Sequence, residues 1–138
     1  MSMCIYHGNC ADGFGAAWVV RKALGDIDFH PGKYQEPPPD VTGKDVVMVD
    51  FSYKRQVLLE MAEKANSILI LDHHKTAVED LVDLPANVTA KFDMAHSGAM
   101  LTWEHFFPGE TPPPLLLHIE DRDLWRFALQ NTRQIQAN

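Results

Sequence analysis

The chain has 138 residues, a length that suits one domain with one hydrophobic core. Its hydrophobic (46%) and charged (22%) fractions are those of ordinary soluble proteins, and no apolar run is long enough for a membrane-spanning helix. The net charge of −7 argues against a broad grip on duplex nucleic acid but allows an anionic substrate held through bound cations. The N-terminus lacks a secretory-signal pattern and the two cysteines form no CxxC pair, so we expect a reducing, cytoplasmic setting.

Short apolar runs alternate with segments of helical periodicity along the chain. In chain order, the pattern predicts a strand at 3–6, a helix at 14–24, a strand at 27–30, a Pro-rich loop at 35–40 and a strand at 46–49. It then predicts a helix at 54–65 capped by Ser52, strands at 67–71 and 88–92, and helices at 98–107 and 112–120 capped by Ser97 and Thr111. This alternation favours an α/β fold: three αβα layers around a mostly parallel, Rossmann-like sheet of about five strands.

Acidic and histidine residues follow three of the predicted strands directly. The segments are HGNCADG at 7–13, Asp50 after VVMV, and DHHK at 72–75, with a further acidic segment, EDRDLW, at 120–125. Ligands of parallel sheets bind at the carboxyl ends of the strands, so the first three segments should converge. Carboxylate and imidazole groups together suit Mn²⁺, Fe²⁺, Co²⁺ or Zn²⁺ better than Ca²⁺.

Each of these residues also has an ordinary structural explanation. Asp50 alone could be a helix cap, and a lone His7 is more often a packed or exposed histidine. Two adjacent histidines at a strand end, His73 and His74, have no packing rationale, and the combination therefore favours a site. Three aromatic residues that could stack nucleobases are expected in the core instead, because of their helical settings: Trp18, Trp103 and Trp125.

The combination resembles the DHH phosphoesterase superfamily, whose name-giving triplet matches Asp72-His73-His74 in LILDHHKT. The segments HGNCADGFGAAW, VVMVDFSY, LDHHKT, HSGAMLTWEHFF and LLLHIEDRDLWRF occur in the family's order, so the resemblance covers nearly the whole chain. It implies a metal-dependent hydrolase acting on a phosphodiester or phosphoanhydride of a small nucleotide, short oligonucleotide or polyphosphate. The alternative is a non-catalytic remnant that binds metal or nucleotide without turnover.

The resemblance also implies a role for each site residue. Metal ligands would be His7, Asp12, a bridging Asp50, His73 and Asp123, with Asp121 as the alternate for the last. Catalysis would involve His74, facing the phosphate, and Asp72, orienting its neighbours. Substrate contacts would come from His74, Lys75 and Arg122. The implied cofactor is one or two divalent ions, Mn²⁺ first among them.

The first motif and the chain length both depart from the family pattern. In the first motif Phe14 occupies the place of a second Asp, which disfavours inorganic pyrophosphatase activity, and the His-to-Asp spacing is one residue longer than in the pyrophosphatases. Asn9 or Asp121 would have to compensate, or the second metal site would be weak. The family normally adds a C-terminal substrate-binding domain, so we expect residues 1–138 to be the metal-binding domain, with that second domain absent from this chain. The expected partner is a small phosphorylated substrate, not duplex nucleic acid or a membrane; a homodimer is left open.

Overall fold

The computed structural model describes residues 1–8 and 10–123 and contains a parallel five-stranded sheet with helices on both faces, which confirms the predicted fold class. The strands are β1 (Ser2–His7), β2 (Asp28–Gly32), β3 (Asp45–Val49), β4 (Ser67–Asp72) and β5 (Val88–Phe92). The helices are α1 (Ala11–Leu24), α2 (Arg55–Lys64), α3 (Lys75–Asp80) and α4 (Gly98–Phe106), followed by α5, which begins at 114 and is helical to residue 123. Within these ranges, none of the helices has the length and apolarity needed to cross a bilayer.

The order of the strands determines where the crevice lies. It is β2-β1-β3-β4-β5, so the chain reverses direction across the sheet between β1 and β3, the place where doubly wound sheets bind ligands. In the register, Tyr6 lies opposite Val49, and Val49 lies opposite Leu71. The next residues of the three strands, among them His7 and Asp50, therefore emerge side by side at one edge.

Both faces of the sheet are covered, which explains why the central strands are apolar throughout. Val47 and Val49 of β3 pack into the cluster formed by α1 and α4, whereas Val46 and Met48 pack on the opposite side with α2. Burying a side chain such as Met48 completely stabilises the fold by roughly 1.5–3 kcal/mol. The two cores hold the strand ends, and the loops that follow them, in fixed positions.

The caps of three helices test the predicted element boundaries. Ser97 accepts a hydrogen bond from the Met100 amide at 3.2 Å and caps α4, as predicted. The other two caps are wrong, because α2 has Lys54 at its N-cap and α5 begins at 114, beyond Thr111. The Ser52 hydroxyl instead donates to a buried carboxylate of the neighbouring strand end, Asp72, at 3.1 Å. Ser52 thus bonds to a carboxylate on another strand end instead of capping the helix that follows it.

Two further differences concern α1 and the aromatic residues. The helix begins at Ala11, three residues before the predicted start, which places Asp12 in its first turn. Trp103 is buried as predicted, but Trp18 is 45% exposed, so the core assignment is wrong for that residue. Trp125 lies outside the described residues. Helix α3, directly after the Asp-His-His triplet, was not predicted from the sequence.

Candidate metal centre

Asp50 lies at the centre of the crevice, directly after the middle strand. Its side chain is 1% exposed, and its backbone adopts a left-handed conformation with φ 56°, which Asp and Asn tolerate better than most residues. The Asp50 amide donates to the Leu71 carbonyl at 2.9 Å, so the turn remains tied to β4. A carboxylate buried this completely needs partners of opposite charge or hydrogen-bond donors.

The two oxygens of Asp50 face two different histidines. Oδ1 lies 2.7 Å from Nε2 of His73, and Oδ2 faces Nδ1 of His7 at 3.5 Å. Two groups of potential metal ligands result, each with ligand atoms within 4.8 Å of one another: His7, Asp50 and His74, and Asp12, Asp50 and His73. Asp50 belongs to both groups, which is the position that a bridging carboxylate requires.

Asp12 reaches this site from the first turn of α1. It is 3% exposed and accepts hydrogen bonds from the amides of Gly98 and Ala99, both at 2.8 Å, at the start of α4. The same carboxylate lies 3.3 Å from Nε2 of His73. A methyl group at Gly98 would lie 2.6 Å from atoms of Asp50, so only glycine lets α4 approach this closely. The start of α4 therefore helps to fix both carboxylates.

The first residue of the Asp-His-His triplet is fully buried and holds the other two. Asp72 accepts from the amide of His73 at 2.8 Å and contacts Nδ1 of His74 at 2.7 Å, in addition to the Ser52 hydroxyl. Buried carboxylates that hold one nitrogen of a ring in this way fix its tautomer and orientation. The geometry therefore suits Asp72 for an orienting role, with Nε2 of His74 left for another partner.

The remaining sequence-predicted residues lie around this cluster. Asp123 Oδ2 is 3.7 Å from Nδ1 of His73, on the side of the ring opposite Asp50, so Asp123 lies next to the cluster rather than within either ligand group. Asp121 is exposed and, among the described residues, forms no ion pair with the cluster. Lys75 is exposed at the start of α3. Of these, only Asp123 is close enough to His73 to act on the site.

Arg122, Phe14 and Asn9 complete the predicted set. Arg122 is exposed and lines a small cavity together with Cys10, Asp12 and Asp123, so it can reach an anion at the rim of the site. Phe14 is 55% exposed and lines an apolar groove between α1 and α5, together with Trp18. Asn9 lies outside the described residues. Compensation for Phe14 by Asp121 therefore has no support in the geometry.

Sequence reasoning missed Cys10, the residue just before α1. Its sulfur lies 3.8 Å from Oδ2 of Asp50, the same oxygen that Nδ1 of His7 faces. The available signal was its position between two predicted ligands, His7 and Asp12, in the loop that follows β1.

The histidines and carboxylates of the cluster shift one another's pKa values. Burial disfavours the charged ring of His73, but its contacts with Asp12 and Asp50 outweigh burial and raise its pKa to about 11. Contacts with Asp50 and Cys10 raise the pKa of His7 to about 10, against burial. Burial acts to raise the pKa of Asp50, yet His7 and His73 overcome it and lower that pKa to about 2. In the metal-free protein, protons on two histidines therefore balance the buried carboxylate.

This balance predicts a pH dependence of the metal-free protein. His7 and His73 have pKa values of about 10 and about 11, above the ordinary 6.5, so their contribution to stability is complete below pH 6.5. It is lost as the pH rises through the two folded-state values. We expect the free energy of unfolding, measured with urea in the presence of a chelator, to fall steadily from pH 6.5 to about 10.

His73→Gln is the control for this prediction, because glutamine has no charge to lose. The slope against pH should be shallower in this variant. A metal-free protein that becomes more stable between these pH values would contradict the assignment. Since a cation must displace the same protons, the apparent Mn²⁺ affinity of the unsubstituted protein should rise over the same interval.

One further observation supports the fit of these donor atoms to a divalent cation. Nδ1 of His7 is completely buried and, among the described residues, has no hydrogen-bond partner, although it faces the Asp50 carboxylate. In the neutral ring this nitrogen lacks a hydrogen-bond partner at a cost of about 1–3 kcal/mol, which a cation bound to its lone pair would remove. Another group of potential ligands, Asp93, His96 and Glu104, is half-buried or exposed and lacks such an atom.

The chain is similar to one protein of an amoebal virus. It is 33% identical over 151 residues to uncharacterized protein R106 of Acanthamoeba polyphaga mimivirus, an alignment that covers 97% of this chain and 36% of that protein. The chain thus spans about a third of the length of the curated relative it matches. No family model matches the chain, and no solved structure is similar to it.

Proposed function

We propose that this chain is a metal-dependent phosphoesterase of the DHH type, which hydrolyses a phosphodiester or phosphoanhydride in a small phosphorylated substrate. The observation that carries the proposal is Asp50, a buried carboxylate that belongs to two ligand groups at the switch point of the sheet. The resemblance of the Asp72-His73-His74 segment and its neighbours to the family supplies the reaction class. A cytoplasmic setting and Mn²⁺ as the first candidate metal belong to the same proposal.

The residues of the chain divide the work of hydrolysis. Divalent cations, when bound, neutralise charge on phosphoryl oxygens and lower the pKa of an attacking water. His7, Asp12, Asp50 and His73 would hold these cations. The contact with Asp72 raises the pKa of His74 and so favours the protonated ring, whose Nε2–H would donate to a phosphoryl oxygen.

An open cavity beside His74 has the size for a small nucleotide. Its volume is about 480 Å³, within the range of small-molecule sites. Tyr34 and Tyr53 supply aromatic surface, Lys54 supplies a positive charge, and Ser52 and Thr76 supply hydroxyl groups. The cavity supports a phosphorylated substrate that extends from the cluster across the loop between β3 and α2.

The two histidines of the triplet should differ in their effects. His73→Ala removes the ring that contacts both Asp12 and Asp50, so we expect Mn²⁺ affinity to fall by more than about tenfold. His74→Ala should leave Mn²⁺ affinity within about threefold but lower kcat by roughly 100-fold, the scale of general acid–base effects. Calorimetric Mn²⁺ titration and steady-state kinetics of both variants measure the difference. Equal loss of metal in the two variants would place His74 among the ligands.

The activity itself can be tested with a short panel of substrates. The protein, supplied with Mn²⁺, is assayed against dinucleotides, nucleoside bisphosphates, short polyphosphate and pyrophosphate, with chelator-treated protein as the control. We expect chelator-sensitive hydrolysis of at least one phosphodiester or phosphoanhydride, and little with pyrophosphate. Stoichiometric metal binding without hydrolysis of any member of the panel would instead support the alternative, a binding module without turnover.

A further inference from the structure

We infer that Cys10 is a thiolate ligand of the cation held by His7 and Asp50, so that the metal centre has one sulfur-containing side and one side with only nitrogen and oxygen ligands. This inference rests on the proposed function, because it concerns the composition of the same centre. Cys10 is half-buried, and its sulfur points to the carboxylate that the two ligand groups share.

The sulfur lies on the side of Asp50 that lacks a strong partner. Oδ1 is engaged by His73 at 2.7 Å, whereas Oδ2 has His7 Nδ1 at 3.5 Å and Cys10 Sγ at 3.8 Å. Cys10 is also the N-cap residue of α1, yet its side chain makes no capping hydrogen bond. The His7 nitrogen and the Cys10 sulfur therefore face the same oxygen of Asp50, and neither lies closer to it than 3.5 Å.

These separations match the edges of a coordination shell. Ligands of one tetrahedral cation, at bond lengths of ~2.3 Å to sulfur and ~2.1 Å to nitrogen or oxygen, lie roughly 3.4 Å (nitrogen to oxygen) and 3.6 Å (sulfur to oxygen) apart. The observed 3.5 Å and 3.8 Å differ from these values by about 0.1–0.2 Å. A nitrogen–oxygen distance of 3.5 Å is, in contrast, long for a hydrogen bond.

The buried nitrogen of His7 is an independent indication that a ligand belongs here. This nitrogen is fully shielded from solvent, has no hydrogen-bond partner within residues 1–8 and 10–123, and faces the same oxygen as Cys10. Ligation by Cys10 also leaves His74 free for the substrate, since Nδ1 of His74 is already held by Asp72.

A thiolate in the shell changes which metal the site prefers. Soft sulfur ligands favour Zn²⁺, Fe²⁺ and Co²⁺, whereas Mn²⁺ and Mg²⁺ prefer oxygen. The His7–Cys10–Asp50 side should therefore select Zn²⁺, Fe²⁺ or Co²⁺. The Asp12–Asp50–His73 side, without sulfur, remains suited to Mn²⁺.

Titration with Co²⁺ tests the inference, because a Co²⁺–thiolate bond produces a near-ultraviolet charge-transfer absorption that nitrogen and oxygen ligands do not. The chain has only two cysteines, and Cys4 is 0% exposed in the core. Cys4→Ala therefore leaves Cys10 as the single thiol, and this variant should show the absorption. Cys10→Ser should bind Co²⁺ with visible bands but without the charge-transfer absorption, and its Zn²⁺ affinity should fall by more than about tenfold while its Mn²⁺ affinity changes less.

The outcomes separate the inference from the proposed function. Co²⁺ bound to the unsubstituted protein or to Cys4→Ala without charge-transfer absorption, or an unchanged absorption in Cys10→Ser, would overturn the role of Cys10 and leave the metal centre in place. Absence of Co²⁺, Zn²⁺ and Mn²⁺ binding in calorimetry would overturn both. Cys10→Ala provides a second variant should the serine variant fold poorly.

Discussion

Asp50→Asn is expected to abolish Mn²⁺-dependent hydrolysis and to lower the affinity for Mn²⁺ by more than about 100-fold. Loss of a residue that merely supports a ligand costs about 10- to 100-fold, and Asp50 belongs to both ligand groups, so its loss should cost more. Asparagine keeps the volume and tolerates the backbone φ of 56°, so the fold should survive. Calorimetry measures the affinity, and circular dichroism checks the fold.

Thermal stability gives a second measurement of the same change. Metal bound only to the native state stabilises it by about 2.7 kcal/mol at a hundredfold excess over Kd. For a domain of this size, that corresponds to a rise in Tm of about 10 °C. The rise should occur in the unsubstituted protein and be absent in Asp50→Asn at the same Mn²⁺ concentration.

Asp93→Asn is the matched control, since Asp93 belongs to the more exposed ligand group near α4. Its Mn²⁺ affinity and its metal-dependent rise in Tm should equal those of the unsubstituted protein. If Asp93→Asn lost Mn²⁺ and Asp50→Asn retained it, the metal would bind at the Asp93 group, after β5, and not in the crevice around Asp50.

Gly98→Ala should destabilise the protein and weaken its metal binding together. Glycine to alanine inside a helix normally gains about 0.5–1 kcal/mol. At Gly98 the new methyl group would lie 2.6 Å from both Cβ and Oδ1 of Asp50, and overpacking of this kind costs about 1–3 kcal/mol. We expect a net loss of unfolding free energy, and a fall in Mn²⁺ affinity of more than about tenfold because the shared carboxylate must move. Urea unfolding and calorimetry measure the two effects.

A double-mutant cycle identifies the cause. In an Asp50→Gly background the atoms that the new methyl group would meet are gone, and glycine accepts the positive φ at that position. Adding Gly98→Ala to this background should be neutral or stabilising. An equal loss of stability in both backgrounds would mean that the methyl group clashes with something other than Asp50.

The sequence by itself determined the parts of this protein that depend on local pattern. Short apolar runs such as VVMV and SILIL, rich in branched residues, indicate buried strands, and acidic or histidine residues directly after parallel strands emerge at one edge of the sheet. Asp50, His7 and the Asp72-His73-His74 triplet were found for this reason, and so was the Ser97 cap, which bonds three residues away. A bridging Asp50 was also implied, by the resemblance of its segment to the family motif.

Tertiary structure alone decided the contacts between distant segments. Asp12 receives its hydrogen bonds from residues 86 and 87 positions away, Ser52 donates to Asp72 rather than to its own helix, and Trp18 remains half-exposed beside α5. The position of Cys10 relative to Asp50, 40 residues away, belongs to the same class. Such contacts depend on how closely two packed elements approach each other. Here the close approach of α4 to Asp50 requires a glycine at the start of the helix. Sequence spacing does not encode that approach, because it results from the packing of two helices against the same face of the sheet.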